Sequence, residues 1–103
     1  MTCPFCPIIK LTTWWAESPD GIVVCEDLDP KSYTYRILVV GSGKYWHRNY
    51  DNFSQNERRR FTRMGERVAR RHIKEGRALR VANVDMDKLS HPDHWHCQFC
   101  MVG

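Results

Sequence analysis

The pentapeptide His94-Trp95-His96-Cys97-Gln98, close to the C-terminus, holds the most reactive grouping of side chains in this sequence. Two imidazoles and a carboxamide at alternate positions offer a metal ligand, a nucleophile or base, and a neutral hydrogen-bonding group within a few ångströms of one another. Val81-Ala82-Asn83 before it and Phe99-Cys100-Met101-Val102 after it are rich in strand-forming residues. On a strand, His94, His96 and Gln98 share one face, while Trp95, Cys97 and Phe99 take the other, where their apolar character suits a core. A strand whose polar outer face happens to carry two histidines would read the same way. The weight therefore rests on what the rest of the chain brings to this segment.

Cys3-Pro4-Phe5-Cys6-Pro7 is a tight knuckle in which prolines stiffen a turn that lets two thiolates approach one ion. Cys97 and Cys100 repeat the Cys-x-x-Cys spacing, and an odd total of five cysteines in a reducing compartment reads as metal or redox chemistry before structural disulfides. The ligand candidates are Cys3, Cys6, His47, His91, His94 and His96, with Cys97 and Cys100 as competitors. Two thiolates and two imidazoles form an ordinary structural zinc site. The set Cys3, Cys6, His47 and His94 would tie the knuckle, the turn after the central strand and the last strand to one point, leaving His96 free as a neutral imidazole able to attack phosphorus. In the competing arrangement Cys3, Cys6, Cys97 and Cys100 make a four-thiolate zinc module that contacts nucleic acid. Its pairs lie about 90 residues apart, beyond ribbon spacing, and Cys97 and Cys100 would point to opposite faces of a strand.

The elements that must position these groups can be read along the chain. Leu11 to Ala16 and Gly21 to Glu26 are β-prone runs joined by Glu17-Ser18-Pro19-Asp20, which predicts a hairpin. Asp27-Leu28-Asp29-Pro30 ends the second run. Tyr33 to Val40 is the most continuous apolar strand and is expected at the centre of the sheet. Gly41-Ser42-Gly43-Lys44 then turns the chain toward His47 and lacks the spacing of a phosphate-binding P-loop. Ser54-Gln55-Asn56-Glu57 is a capping box, and Phe61, Met64, Val68 and Ile73, with Ala69 and His72 beside them, predict the buried stripe of a long helix ended by Gly76. His72 reads as a packing residue. Ala78 to Val84 is a fourth strand and the His94 segment a fifth, giving an α+β domain over residues 1–103.

Composition narrows the class. At 103 residues with 42% hydrophobic content and twelve Trp, Tyr and Phe, the chain can bury a core but not two domains. No run approaches the ~18 apolar residues of a membrane span, and no signal-peptide h-region opens the chain, so a cytoplasmic protein is expected. The net charge of +4 is concentrated in residues 54–75, where eight cations face three carboxylates. Such a segment is either a solvated face or a surface for phosphates, and the solvated face is the reading favoured here over nucleic acid. Trp14, Trp15 and Trp46 read as core or dimer contacts before a base pocket.

These motifs together resemble the histidine triad (HIT) superfamily, most of all the branch that contains galactose-1-phosphate uridylyltransferase. The resemblance is carried by Cys3-x-x-Cys6, Asp27-Leu28-Asp29-Pro30 after a strand, the strand Arg36 to Val40 leading to Lys44 and His47, Asn83, and His94-x-His96-x-Gln98. It implies a HIT-like fold, with about five antiparallel strands packed against one long helix. It implies structural zinc on Cys3, Cys6, His47 and His94, with His96 as the nucleophile and Gln98 bonding a phosphate oxygen. Asp27 would meet a ribose, and Asn83 would orient the imidazole or touch phosphate. Where small members carry a glycine-rich phosphate loop, this chain has Asp85 to Asp93, whose donors are Ser90 and His91.

The implied activity is attack at the α-phosphate of a nucleotide or nucleotide conjugate through a covalent nucleotidyl-histidine, as a nucleotidyltransferase or a phosphohydrolase. Hydrolase members carry a third histidine where this chain has Gln98, and the transferase branch carries glutamine. An inert HIT-like domain that binds nucleotides without turnover is the alternative. Small relatives are commonly homodimers, so the resemblance implies a second copy as a partner.

Overall fold

A computed structural model of the chain describes residues 12–27, 33–42, 45, 48, 50–85 and 95–103. The elements in chain order are β1 (Trp14–Glu17), β2 (Ile22–Glu26), β3 (Tyr35–Gly41), a 3-10 turn (Tyr50–Asn52), α1 (Gln55–Lys74), β4 (Arg80–Asp85) and β5 (His96–Val102). The strands form one antiparallel sheet in the order β1-β2-β3-β5-β4. The expected central strand is therefore central. The last strand inserts between β3 and β4, and β4 becomes an edge. Strand limits differ from the sequence expectation by one to three residues, because Thr12 and Thr13 reach Glu26 only through isolated hydrogen bonds outside β1 and Tyr33 and Thr34 bend before β3 begins.

Helix α1 starts as its sequence requires. The Glu57 amide donates to Ser54 Oγ at 3.1 Å and the Ser54 amide to Glu57 Oε1 at 2.8 Å, closing the reciprocal box. Arg48 pairs with the same Glu57 carboxylate at 3.2 Å and lies over the Phe53 ring, while its carbonyl accepts from the Trp95 amide at 2.8 Å. The helix start and the entry to β5 are thus held by one residue. At the other end Gly76, at φ +78°, turns the chain in the left-handed conformation that side chains disfavour and donates to the Ile73 carbonyl.

The buried stripe of α1 is Phe61, Gly65, Val68, Ala69 and His72. Met64 is only half-buried, and Ile73, expected inside, is 38% exposed because it lies past the edge of the arc that faces the sheet. The sequence pattern passed over Gly65. A Cβ at that position would sit 2.6 Å from Val39 Cγ2 and nearer still to the Phe99 ring, so glycine is what lets the helix backbone lie against β3 and β5. The core beneath α1 joins Ile22, Val24, Ile37, Val39, Cys97, Phe99 and Met101 to this stripe, each large apolar side chain contributing about 1.5–3 kcal/mol by burial. Tyr45, Phe53, Phe61 and Trp95 complete it as an aromatic group with centroids 5.0–5.7 Å apart, in which Tyr45 stacks on Phe53 while Phe61 meets Tyr45 and Phe53, and Phe53 meets Trp95, edge to face.

The β1–β2 hairpin is fastened to the helix by ions. Asp20 accepts from Tyr45 Oη at 2.7 Å and pairs with Arg60 at 2.6 Å, which holds its carboxyl well below the usual range. No helix among the described residues is long and apolar enough to cross a membrane.

Candidate functional site

The face of the sheet turned away from α1 carries the residues with chemical potential. Register fixes three rows across it. Val23, Val40 and His96 make one; Cys25, Leu38, Gln98 and Asp85 make the next; Arg36, Cys100 and Asn83 make the third. Four polar groups connect diagonally through these rows. Arg36 donates to Gln98 Oε1 from Nε at 3.0 Å and again from Nη2, Gln98 Nε2 lies 3.2 Å from His96 Nε2, and Asp27 stands 3.8 Å from Arg36 Nε on the far side.

This geometry fixes proton positions by elimination. A guanidinium has only donors, so the Gln98 atom that meets Arg36 is the carbonyl oxygen. The amide nitrogen must then face His96, and because it can only donate, His96 Nε2 receives. The imidazole therefore carries its proton on Nδ1, and Nε2 presents a lone pair. Asp27 balances the guanidinium, whose side chain is only 13% exposed, since a charge so far out of water needs a nearby partner.

Of the expected site residues, the structure brings His96, Gln98 and Asp27 into one connected group. Asn83 shares their face on edge strand β4, exposed and opposite Cys100. Cys3, Cys6, His47, Ser90, His91 and His94 lie outside the described residues. Arg36, which the sequence marks only as the start of a strand, sets the orientation of Gln98. Its signal was that it is the one charge in an otherwise apolar run.

The notion of a polar outer face needs correction. His96 and Gln98 are 1% and 5% exposed, on a face that also holds a second apolar cluster of Val23, Cys25, Leu38 and Val40. The unbroken run Ile37 to Val40 already indicated this, because a strand apolar on both sides is covered on both sides.

Cys97 belongs to the core under α1 and Cys100 to the opposite face, so the two sulfurs diverge. Burial pushes the thiols of Cys25 and Cys97 up to about 12 and raises that of Cys100. Among the described residues no three His, Cys, Asp or Glu side chains gather as a metal site. His72 is fully buried, as a packing residue. Its Nδ1 contacts the Val68 carbonyl at 3.1 Å and its ring meets the edges of Trp15 and Tyr35.

Compared with family models, curated proteins and solved structures, the chain gives no match.

Proposed function

We propose that the diagonal of Asp27, Arg36, Gln98 and His96 is the phosphate-handling site of a nucleotide-conjugate enzyme of the histidine triad type. The observation that carries this reading is the fixed Gln98 amide, which keeps a lone pair on His96 Nε2, the state a nucleophile requires. In the reaction the Nε2 lone pair forms an N–P bond at the α-phosphorus while the bond from phosphorus to the leaving oxygen breaks, that oxygen taking the electron pair. Water, which gives up a proton to solvent, or a phosphate oxygen then attacks the same phosphorus, and the N–P bond returns its pair to Nε2. Gln98 cannot titrate, so its N–H, released from Nε2, stabilises the phosphoryl oxygens without acting as an acid. Arg36 offsets their charge. Zinc on Cys3, Cys6, His47 and His94, and a homodimeric state, belong to the same reading.

A second reading is favoured by burial. With His96 at 1% exposure, the diagonal is a buried polar network that fixes the register of β3 against β5 and touches no substrate. Turnover separates the two. Purified protein is assayed with a nucleoside phosphoramidate, a dinucleoside polyphosphate and a nucleotide sugar. The enzymatic reading expects release from at least one and its loss in His96→Ala. No release from any, or release unchanged in His96→Ala, leaves the structural reading, and calorimetric binding of nucleotide without release identifies an inert nucleotide-binding domain.

A further inference from the structure

The outer face of α1 carries Arg59, Arg63, Arg67 and Arg71 at successive four-residue steps, so their side chains form a single ridge along the helix, with Arg70 and Lys74 beside it. All six are exposed. Other basic residues of the helix have assigned work. Arg58 lies over the Tyr50 ring and donates to its carbonyl, and Arg60 pairs with Asp20. Along the ridge Glu66 takes Arg70 at 2.5 Å, Glu75, one step past Arg71 at the helix cap, is taken by Arg77 at 2.5 Å, and Arg71 reaches the Trp15 carbonyl at 3.5 Å. Arg59, Arg63, Arg67 and Lys74 have no ion pair among the described residues.

A face that served solvation alone would gain from opposite charges four residues apart, whereas like charges at that spacing destabilise a helix. Here three consecutive pairs, Arg59 with Arg63, Arg63 with Arg67 and Arg67 with Arg71, are like-charged. Guanidinium forks match phosphate oxygens two at a time, which ammonium groups do not. At ~1.5 Å of rise per residue the ridge runs about 18 Å, long enough to meet several successive phosphates of one strand. A free nucleotide would engage only one or two of these cations. A lipid surface is disfavoured, because the apolar face of α1 is committed to the sheet through Phe61, Val68 and Ala69 and leaves nothing to insert.

We infer that the arginine ridge of α1 binds the phosphate backbone of a nucleic-acid strand without reading its sequence. The ridge is on the opposite side of the sheet from His96 and does not depend on the enzymatic reading. The test is fluorescence anisotropy of the whole protein with a labelled oligothymidylate across a salt series, beside vesicles containing phosphatidylserine. Binding should weaken with salt at a log–log slope of about 0.7 per neutralised phosphate, and Arg59→Gln/Arg63→Gln/Arg67→Gln should lower that slope by about two and the low-salt affinity by about tenfold or more. Its melting temperature should be unchanged or higher, since like charges have been removed. Arg80→Gln, an exposed cation on β4 off the ridge, should bind as the parent does. Should the triple variant melt early, single Arg63→Gln should still reduce the slope, by about 0.7. Absence of binding at low salt, a ridge variant that binds like the parent, or ridge-dependent binding to vesicles in place of oligonucleotide overturns the inference.

Discussion

Arg36 decides the chemistry of the candidate site although it was not among the residues singled out for catalysis or binding. Its two donors give Gln98 one orientation, and that orientation gives His96 one tautomer. Arg36→Met removes both donors and leaves the Gln98 carbonyl without them in a buried setting, which should cost about 1–3 kcal/mol in denaturant unfolding. Adding Gln98→Met should recover part of that loss, because no orphaned carbonyl remains. Two additive losses would mean that the contact is not energetically coupled. The sequence revealed that His96 and Gln98 alternate onto one face. It did not reveal that Arg36 reaches Gln98, since that contact depends on the register of two strands separated by more than fifty residues.

His72 gives a pH-dependent prediction at the same scale. Burial disfavours its charged form and lowers its pKa beneath the ordinary 6.5. The unfolded chain thus binds the proton more readily, and stability is full above about pH 6.5 and declines as pH falls through the folded pKa. His72→Leu should flatten the difference in unfolding free energy between pH 7 and pH 5 relative to the parent. An unchanged difference would mean that His72 is not a source of that slope. The depressed carboxyls of Asp20 and Glu57 contribute stability that is full above their ordinary values of 3.8 and 4.5 and is lost at lower pH as each is protonated, which adds a second decline.

Among the elements, the helix was the most legible, because its cap, stripe and C-terminal glycine are all local signals. Ser54→Ala should cost about 1 kcal/mol by freeing the capped amide. Gly65 was not legible, since its role lies in what the helix touches rather than in helical periodicity. Gly65→Ala should favour an isolated helix yet destabilise the protein by about 1–3 kcal/mol, as the new methyl displaces Val39 and Phe99. A stabilised Gly65→Ala variant in thermal unfolding would contradict the close packing described for α1. Ile73 illustrates the opposite case, an apolar residue near the end of a stripe that reads as core in the sequence although it sits beyond the contact arc.

For the whole molecule, the strand count and the first hairpin were readable from turn chemistry and apolar runs, and the antiparallel sheet was implied by the family resemblance, but the insertion of β5 between β3 and β4 was not readable. That order arises from long-range pairing that no local pattern encodes, and it brings Asp27, Arg36, Gln98 and His96 together. The expected zinc ligands would add a second long-range tie. Purified protein should hold zinc that is lost in Cys3→Ala and retained in Cys100→Ala, as measured by metal analysis. Loss in the Cys100 variant would instead favour the four-thiolate arrangement, against the divergence of Cys97 and Cys100 on β5.

The most direct test of the proposed chemistry is to trap its intermediate. Protein mixed with a nucleotide conjugate labelled at the α-phosphate, and quenched within its turnover time, should carry the nucleotidyl group on the peptide containing His96, and His96→Ala should carry none. Conjugate consumed without label on that peptide, or label that persists in His96→Ala, would contradict the account.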